Sequence, residues 1–341
     1  MKILVTGGTG YIGRVLCPYL KEKGYDVIAL DRNFLSDESV KEEYNSLGIK
    51  LIRDDIRYFD PHILEGVDAV ADLAALSNDP AGDLDSFKTW DINYIGRCRV
   101  ARLAKKAGVK KYIVTSSCSV YGFQNDVVDE KSPVNPLTTY AKANVAVEAD
   151  NLILGDKNFT VTALRLATAF GYSKRMRLDI AINAMTFNAA TKKKIMLMRE
   201  GTQIRPFVHI KDISRSIETV FESEEGLVNG QRFNIGSDEQ NVSLKDLGEM
   251  VRKTVNNGSE VEWYGDPDIR SYRVSFNKAI EEIKFRTKYD IEYGIREIND
   301  MINSGKLIQT PQTKTVEFYK LLLDAESKFR EYSLNSVERI L

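Results

Sequence analysis

The fourteen residues ILVTGGTGYIGRVL, Ile3 to Leu16, limit the possible folds of this chain more than any other stretch. A β-branched run, KILVT, enters a cluster of glycines at Gly7, Gly10 and Gly13. An amphipathic run, YIGRVLCPYLKEKG, leaves it. In a strand–turn–helix such glycines permit a tight turn, close approach of the backbone to a phosphate, and packing of the helix on the sheet. The same alternation continues with DVIALD, IKLIRD, VDAVADLAA, KKYIVTSS and FTVTALR as strand patterns separated by helical ones, which predicts βαβ units and a parallel sheet. Several helical patterns stop at Gly24, Gly48 or Gly108, where a C-terminal cap favours positive φ.

The expected fold class is therefore α/β: a doubly wound parallel sheet of Rossmann type with a smaller C-terminal α+β lobe. The sheet domain is expected over residues 1–171 and the late lobe mainly over 172–310, with some segments free to return to the sheet. Residues 311–341 form a helical extension. TVEFYKLLLDAESKFREY carries Val316, Tyr319, Leu322, Leu323 and Phe329 at helical spacing and is read as a lid on the core in preference to an oligomer contact. With 43% hydrophobic and 28% charged residues and a net charge of -1, the chain suits a globular protein and not a polybasic nucleic-acid binder. Two histidines and the scattered Cys17, Cys98 and Cys118 assemble no soft-ligand cluster, so no metal is expected. The N-terminus runs straight into the first strand without a charged leader or a long apolar stretch; a cytoplasmic protein with no membrane span is expected.

The strand VIALD ends in Asp31, the acidic partner that the glycine turn requires to read as a dinucleotide site. Its carboxylate would accept hydrogen bonds from a ribose diol and repel a 2′-phosphate, which favours NAD over NADP. Arg32 beside it is the opposing charge.

From Met1 to about Gly294 the chain resembles the extended short-chain dehydrogenase/reductases, specifically the NAD-dependent nucleotide-sugar epimerases and dehydratases of the UDP-glucose 4-epimerase type. GGTGYIG, with Tyr11 and Ile12 inside it, is similar to the family's phosphate loop. DDI supplies Asp55 and Ile56 toward the adenine, LAA supplies Leu73, Ala74 and Ala75 along the cofactor, and NYIG places Asn93 on the long helix. TSSCSVYG puts Ser116 beside the cofactor and Ser117 in the catalytic Ser/Thr place; Tyr140 takes the catalytic tyrosine place. RPFVHIKD resembles the late motif whose arginine, here Arg205, meets a substrate diphosphate. The resemblance implies a nucleotide-diphosphate sugar as substrate, with Ser117, Thr168, Asn183, Arg205 and Arg270 as candidate contacts. It also implies a homodimer formed through two long helices, to which Val100, Leu103, Val145 and Val147 could contribute, although the same four could equally face the sheet.

Within that resemblance a tyrosine acts as base only if its phenol, with a pKa of about 10, is brought toward working pH. The family uses a lysine four residues later. Here TYAKANVAVE holds Asn144 at that position, and Lys142, two residues after Tyr140, points to a different side of the helix. Asn144 can hydrogen-bond but carries no charge. The open alternatives are an enzyme with a harder-to-ionise tyrosine, natural or altered, and an NAD-binding protein without turnover. Cys118 and Ser119 stand where dehydratases carry Asp-Glu, so 4,6-dehydration is disfavoured and 4-epimerisation leads, with a nucleotide-sugar oxidoreductase as the alternative. The cluster Lys174, Arg175, Arg177 reads as a solvated loop, Lys192 to Lys194 as a solvated helix end, and His209 as structural.

Overall fold

Each apolar run of the first half becomes a short parallel strand. We analysed a computed structural model, which describes residues 1–36, 38–265 and 270–332. The strands are β1 (Lys2–Thr6), β2 (Asp26–Asp31), β3 (Lys50–Arg53), β4 (Ala69–Asp72), β5 (Lys111–Ser117), β6 (Thr160–Leu166) and β7 (Gln231–Ile235). They form one sheet in the order β7-β6-β5-β4-β1-β2-β3, with every pairing parallel. Alternate residues of β1 serve opposite faces: Ile3 and Val5 enter one core, Leu4 the other. Strand order reverses direction between β1 and β4, so the connections that follow these two strands diverge and leave a crevice at their C-terminal ends.

Three helices position the site. Helix α1 (Gly13–Glu22) follows the glycine turn, α2 is Arg97–Lys106, and α3 is Thr139–Leu152. Thr138 caps α3 through its side chain, which accepts from Ala141 N at 3.1 Å. The long segment before α2 departs from a regular helix: Ser86–Trp90 is α-helical, but Asp91–Gly96 widens into a π-helical turn before α2 begins. Two contacts fasten that turn. Arg57 pairs with Asp91 at 2.7 Å, and the Asn93 amide brackets Leu76, accepting from its N at 2.8 Å and donating to its O at 3.0 Å.

The run RFNIG, which lies in the late half, returns to the main sheet as β7, and helix Ile210–Glu222 packs beside α1, where Tyr19 and Tyr25 donate to Glu218 and Glu222. The remainder of the late half has its own core. Helices Ala181–Lys192, Leu244–Val255 and Ile291–Asn303 bury Ile182, Leu247 and Ile295 with Leu197 and Phe207 from neighbouring strands. The C-terminal helix Thr315–Tyr332 lies over the sheet domain, with Tyr319 packed among Leu76, Ala81, Phe34 and Leu35. A buried ion pair between Lys88 and Glu326, at 2.8 Å, joins it to the body. Val316, Leu322 and Leu323 pack beside Tyr319, whereas Phe329 is exposed. Among the described residues no helix is long and apolar enough to cross a membrane.

Of the two readings of the apolar residues on α2 and α3, the structure shows the core-facing one. Val100 and Val147 are fully buried in the core beneath α2 and α3, and Leu103 and Val145 pack partly buried against core residues. These four side chains face inward and are spent on the monomer's own core.

Candidate active site

One cleft of about 890 Å³ runs from the glycine turn, along the ends of β1, β4 and β5, to the late lobe. At its first end Gly7 has φ +67°, and Gly10 N donates to Gly7 O at 3.0 Å. A Cβ on Gly13 would lie 2.3 Å from Gly7 O, so α1 can start this close to the turn only with glycine there. A Cβ on Gly10 would meet Gly7 O alone, at 3.1 Å, and would otherwise project into open space beside the turn. Asp31 accepts from Thr9 N at 3.1 Å and from Asn33 N at 2.8 Å; burial pushes its pKa up and these amides oppose the rise. Arg32 is drawn toward Asp55, 3.4 Å away, which also binds Arg57 through both carboxylate oxygens. Those contacts hold the Asp55 carboxyl below its ordinary range against the effect of burial. Ile12, Ile56, Leu73, Ala74, Ala75 and Ser116 line the same stretch.

Two candidates act one step behind this surface. Asn93 does not line the cleft; its amide fixes Leu76 and so the segment that carries Leu73 to Ala75. Asn183, expected to contact substrate, is fully buried and spends its amide internally: it accepts from Gly171 N at 3.1 Å and donates to Tyr11 Oη at 2.9 Å and Arg177 O at 3.0 Å. A side chain saturated in this way is structural. Tyr11 in turn donates to Gly171 O at 2.7 Å and ties the glycine turn to the start of the late lobe.

The middle wall joins Ser117, at the end of β5, to Tyr140, in the first turn of α3. Burial pushes the Tyr140 phenol above its ordinary pKa; Asp79 adds to the rise, while Asn144, Arg97 and Ser117 oppose it. Lys142 is exposed, away from the cleft. Arg97, the first residue of α2, is buried: Nε donates to Asp72 Oδ2 at 2.8 Å, Nη2 to Thr115 O at 2.7 Å and Asp72 O at 3.0 Å, and Nη1 to Asn144 Oδ1 at 3.5 Å. Cys118 is buried with Sγ donating to Arg165 O at 3.3 Å, and burial raises its thiol pKa. It is a packed residue, not a reactive thiol.

The late lobe contributes the far wall through Thr168, Arg205, Arg270 and Tyr272. The Arg205 guanidinium donates to the Arg270 carbonyl, and the Arg270 guanidinium pairs across the cleft with Asp79, which also accepts from Thr138 Oγ1. The reading of Lys174, Arg175 and Arg177 as a solvated loop is right only for Lys174, which is exposed and paired with Glu43 at 3.0 Å. Arg175 and Arg177 are buried and line the cleft. Arg177 is held by Asp179, at 3.0 Å, and donates to Ser77 Oγ at 3.0 Å. Arg175 donates to Thr315 Oγ1 at 2.9 Å, while its Nε and Nη1 have no partner among the described residues; burial pushes its pKa down to about 10. His209 is structural, with Nε2 at 3.0 Å from Glu297 and its ring edge-on to Phe170.

Sequence reasoning missed Asp79, Arg97 and the burial of two arginines. The Asn-Asp-Pro turn at Asn78 and an arginine directly after NYIG were the available signals. Among the described residues no group of three or more His, Cys, Asp or Glu side chains could hold a metal ion.

The glycine turn, the Ser117–Tyr140 wall and Arg205 sit on a region that matches a known family model over residues 3–236, that of the NAD dependent epimerase/dehydratase family. The chain belongs to that family. Members similar to it include UDP-glucose 4-epimerase of Mycolicibacterium smegmatis, 26% identical over 94% of this chain and 99% of that protein. UDP-glucuronic acid decarboxylase 1 of Arabidopsis thaliana is also 26% identical, over 89% of this chain and 70% of that protein. Among solved structures, UDP-glucuronic acid 4-epimerase from Bacillus cereus in complex with UDP-glucuronic acid and NAD superposes with a TM-score of 0.80. It is 25% identical and covers 89% of this chain and 99% of that one. Membership explains why the fold and the order of motifs agree so fully, and it leaves the chemistry of the individual site to be argued from its residues.

Proposed function

We propose that this protein is an NAD-dependent nucleotide-sugar 4-epimerase. The observation that carries the reading is that Ser117 and Tyr140 share one wall of the same cleft that holds the glycine turn at one end and Arg205 and Arg270 at the other. The residues present fit NAD. Beyond its contact with Gly7 O, Gly10 faces open space beside the turn, α1 begins directly after the turn, where a helix N-terminus favours a phosphate, and Asp31 suits a ribose diol. Gly7, Gly10, Tyr11, Ile12, Gly13 and Asp31 would hold one half of the dinucleotide; Asp55, Ile56, Leu73, Ala74, Ala75 and Ser116 would flank the remainder, and Arg175 offers its unpartnered N–H groups from the opposite side.

NAD, when bound, supplies the acceptor that takes a hydride from a sugar carbon and later returns it. The chain's residues handle the proton. Tyr140 receives it from the sugar hydroxyl, and Ser117 hydrogen-bonds that oxygen and keeps it in reach. Rotation of the keto-sugar before the hydride returns inverts the centre, and Tyr140 gives the proton back, so neither electrons nor protons accumulate. Arg205 is the group for the diphosphate, by a forked contact with its oxygens, with Arg270 and Thr168 at the sugar end. The absence of a carboxylate at Cys118 and Ser119 argues against elimination of water.

The relatives point to uridine diphosphate sugars. The decisive experiment incubates the purified protein with UDP-glucose and with UDP-glucuronic acid and resolves the products by mass spectrometry and proton NMR. A 4-epimer supports the proposal. A pentose nucleotide with release of carbon dioxide would replace it with decarboxylation, as in the Arabidopsis relatives, and reduced cofactor without either product would replace it with net oxidation. The homodimer is part of the same proposal, checked by the mass of the protein in solution.

A further inference from the structure

The lysine of the family pattern is missing from position 144, and the structure places a different cation in the same neighbourhood. Arg97 reaches in from α2 and lines the cleft with Tyr140, its Nη1 3.5 Å from Asn144 Oδ1. Its other edge is occupied: Nε and Nη2 bind Asp72 and the Thr115 carbonyl. Asp72 is itself shared with Thr6 Oγ1, at 2.6 Å, and Tyr112 Oη, at 2.9 Å, so its charge is spread over several donors away from the cleft. Because Asn144 turns its oxygen to the guanidinium, its Nδ2 is left buried without a hydrogen-bond partner among the described residues. A buried amide N–H without a partner costs free energy until an acceptor arrives, and the phenol of Tyr140, one helical turn earlier, is the neighbouring oxygen.

We propose that Arg97, acting through Asn144, is the positioning residue that holds Tyr140 ready as a base: the cation comes from the neighbouring helix instead of from α3. A lysine at 144 and an arginine at 97 would then exclude each other, since two buried cations at this distance repel. The exchange also changes the kind of charge. A guanidinium stays protonated throughout the working pH range, whereas a buried ammonium can lose its proton. Asp79 opposes ionisation of Tyr140, and Arg270 pairs with Asp79 and blunts that opposition. Arg97 lowers the pKa of the phenol and burial raises it.

The inference rests on the reading of Tyr140 as acid/base, and its test separates the two. In the full chain, the ultraviolet absorbance of tyrosinate is titrated against pH without cofactor or substrate, with Tyr140→Phe subtracted, and the pH profile of kcat is measured beside it. Arg97→Lys keeps a charge for Asp72 but is too short to serve both partners. We expect it to move the Tyr140 titration and the acid limb of the profile upward by about one pH unit, equivalent to about tenfold in rate on that limb. Arg97→Met combined with Asp72→Asn removes the charge without leaving Asp72 unpaired and should give the same shift. Asn144→Lys alone should bring no gain in rate, while Asn144→Lys with Arg97→Thr should return both curves toward the natural protein. Unmoved curves in Arg97→Lys and in the neutral double variant, or a faster enzyme from Asn144→Lys alone, would overturn the proposal. If no sugar nucleotide turns over at all, the absorbance titration still decides the role of Arg97.

Discussion

The two ends of the cleft are built by different means. At the glycine turn the constraint is on the backbone: Gly7, Gly10 and Gly13 lie within seven residues, a Cβ on Gly13 would strike Gly7 O at 2.3 Å, and one on Gly7 would crowd the backbone of Leu73 and Ala74. At the Tyr140 end each key side chain is set by partners far along the chain, Arg97 by Asp72 and Asn144 and Arg270 by Asp79. The first end depends on backbone packed against backbone. The second allows a function to move from one helix to another, because a charge acts at a place in space and not at a place in the sequence.

Substitutions can be ranked by how sharply they test that contrast. Tyr140→Phe removes the proton acceptor and should lower kcat by about 10²- to 10⁴-fold while NAD titration remains close to that of the natural protein; equal loss of both would mean that Tyr140 belongs to the nucleotide end. Lys88→Met strips Glu326 of its buried partner and should destabilise by about 3 kcal/mol in a denaturant melt, at the low end for a broken buried pair because Arg330 still meets Glu326. Gly13→Ala should cost about 1–3 kcal/mol and weaken NAD binding together, since its Cβ meets backbone that cannot step aside. A loss of stability with unchanged NAD affinity would uncouple the turn from the nucleotide.

The smallest expected effect is on acid stability. Hydrogen bonds from His209 and Lys211 hold Glu297 down at about 2, although burial works the other way. A carboxylate with a depressed folded pKa contributes stability that is complete above its ordinary value of 4.5 and is lost as pH falls toward 2. Glu297→Gln should therefore flatten the fall in melting temperature over that window, by no more than about 2 kcal/mol given the half-exposed Lys211. An unchanged slope would show that other groups set the acid limit.

The same contrast explains what could be read in advance. The sheet, the glycine turn, Asp31 and the Ser117–Tyr140 pair were legible because strand periodicity and turn chemistry are written in neighbouring residues. Asn144 was legible as a lack, since spacing along one helix is known from sequence. Its compensation was not, because Arg97 becomes its neighbour only when α2 and α3 pack together. Arg175 and Arg177 misled for a related reason: a basic loop reads as solvated until a C-terminal helix some 140 residues later covers it, as the Arg175–Thr315 bond shows. Asn183 had a suitable residue type at a plausible place, and only the count of its hydrogen bonds revealed that it had nothing left to offer.

The π-helical turn Asp91–Gly96 has a consequence for how such a site could arise. A wide turn of this kind accommodates one more residue than an α-helical turn would, and each residue advances the helix by about 100°. Wound as a regular α-helix, the same residues would bring Gly96 to the direction Arg97 now takes and turn the cation away from the cleft, without altering a single residue of the sequence. The charge at the tyrosine is thus set by the winding of a turn as much as by an amino acid, and a change of winding there would act as a change of chemistry.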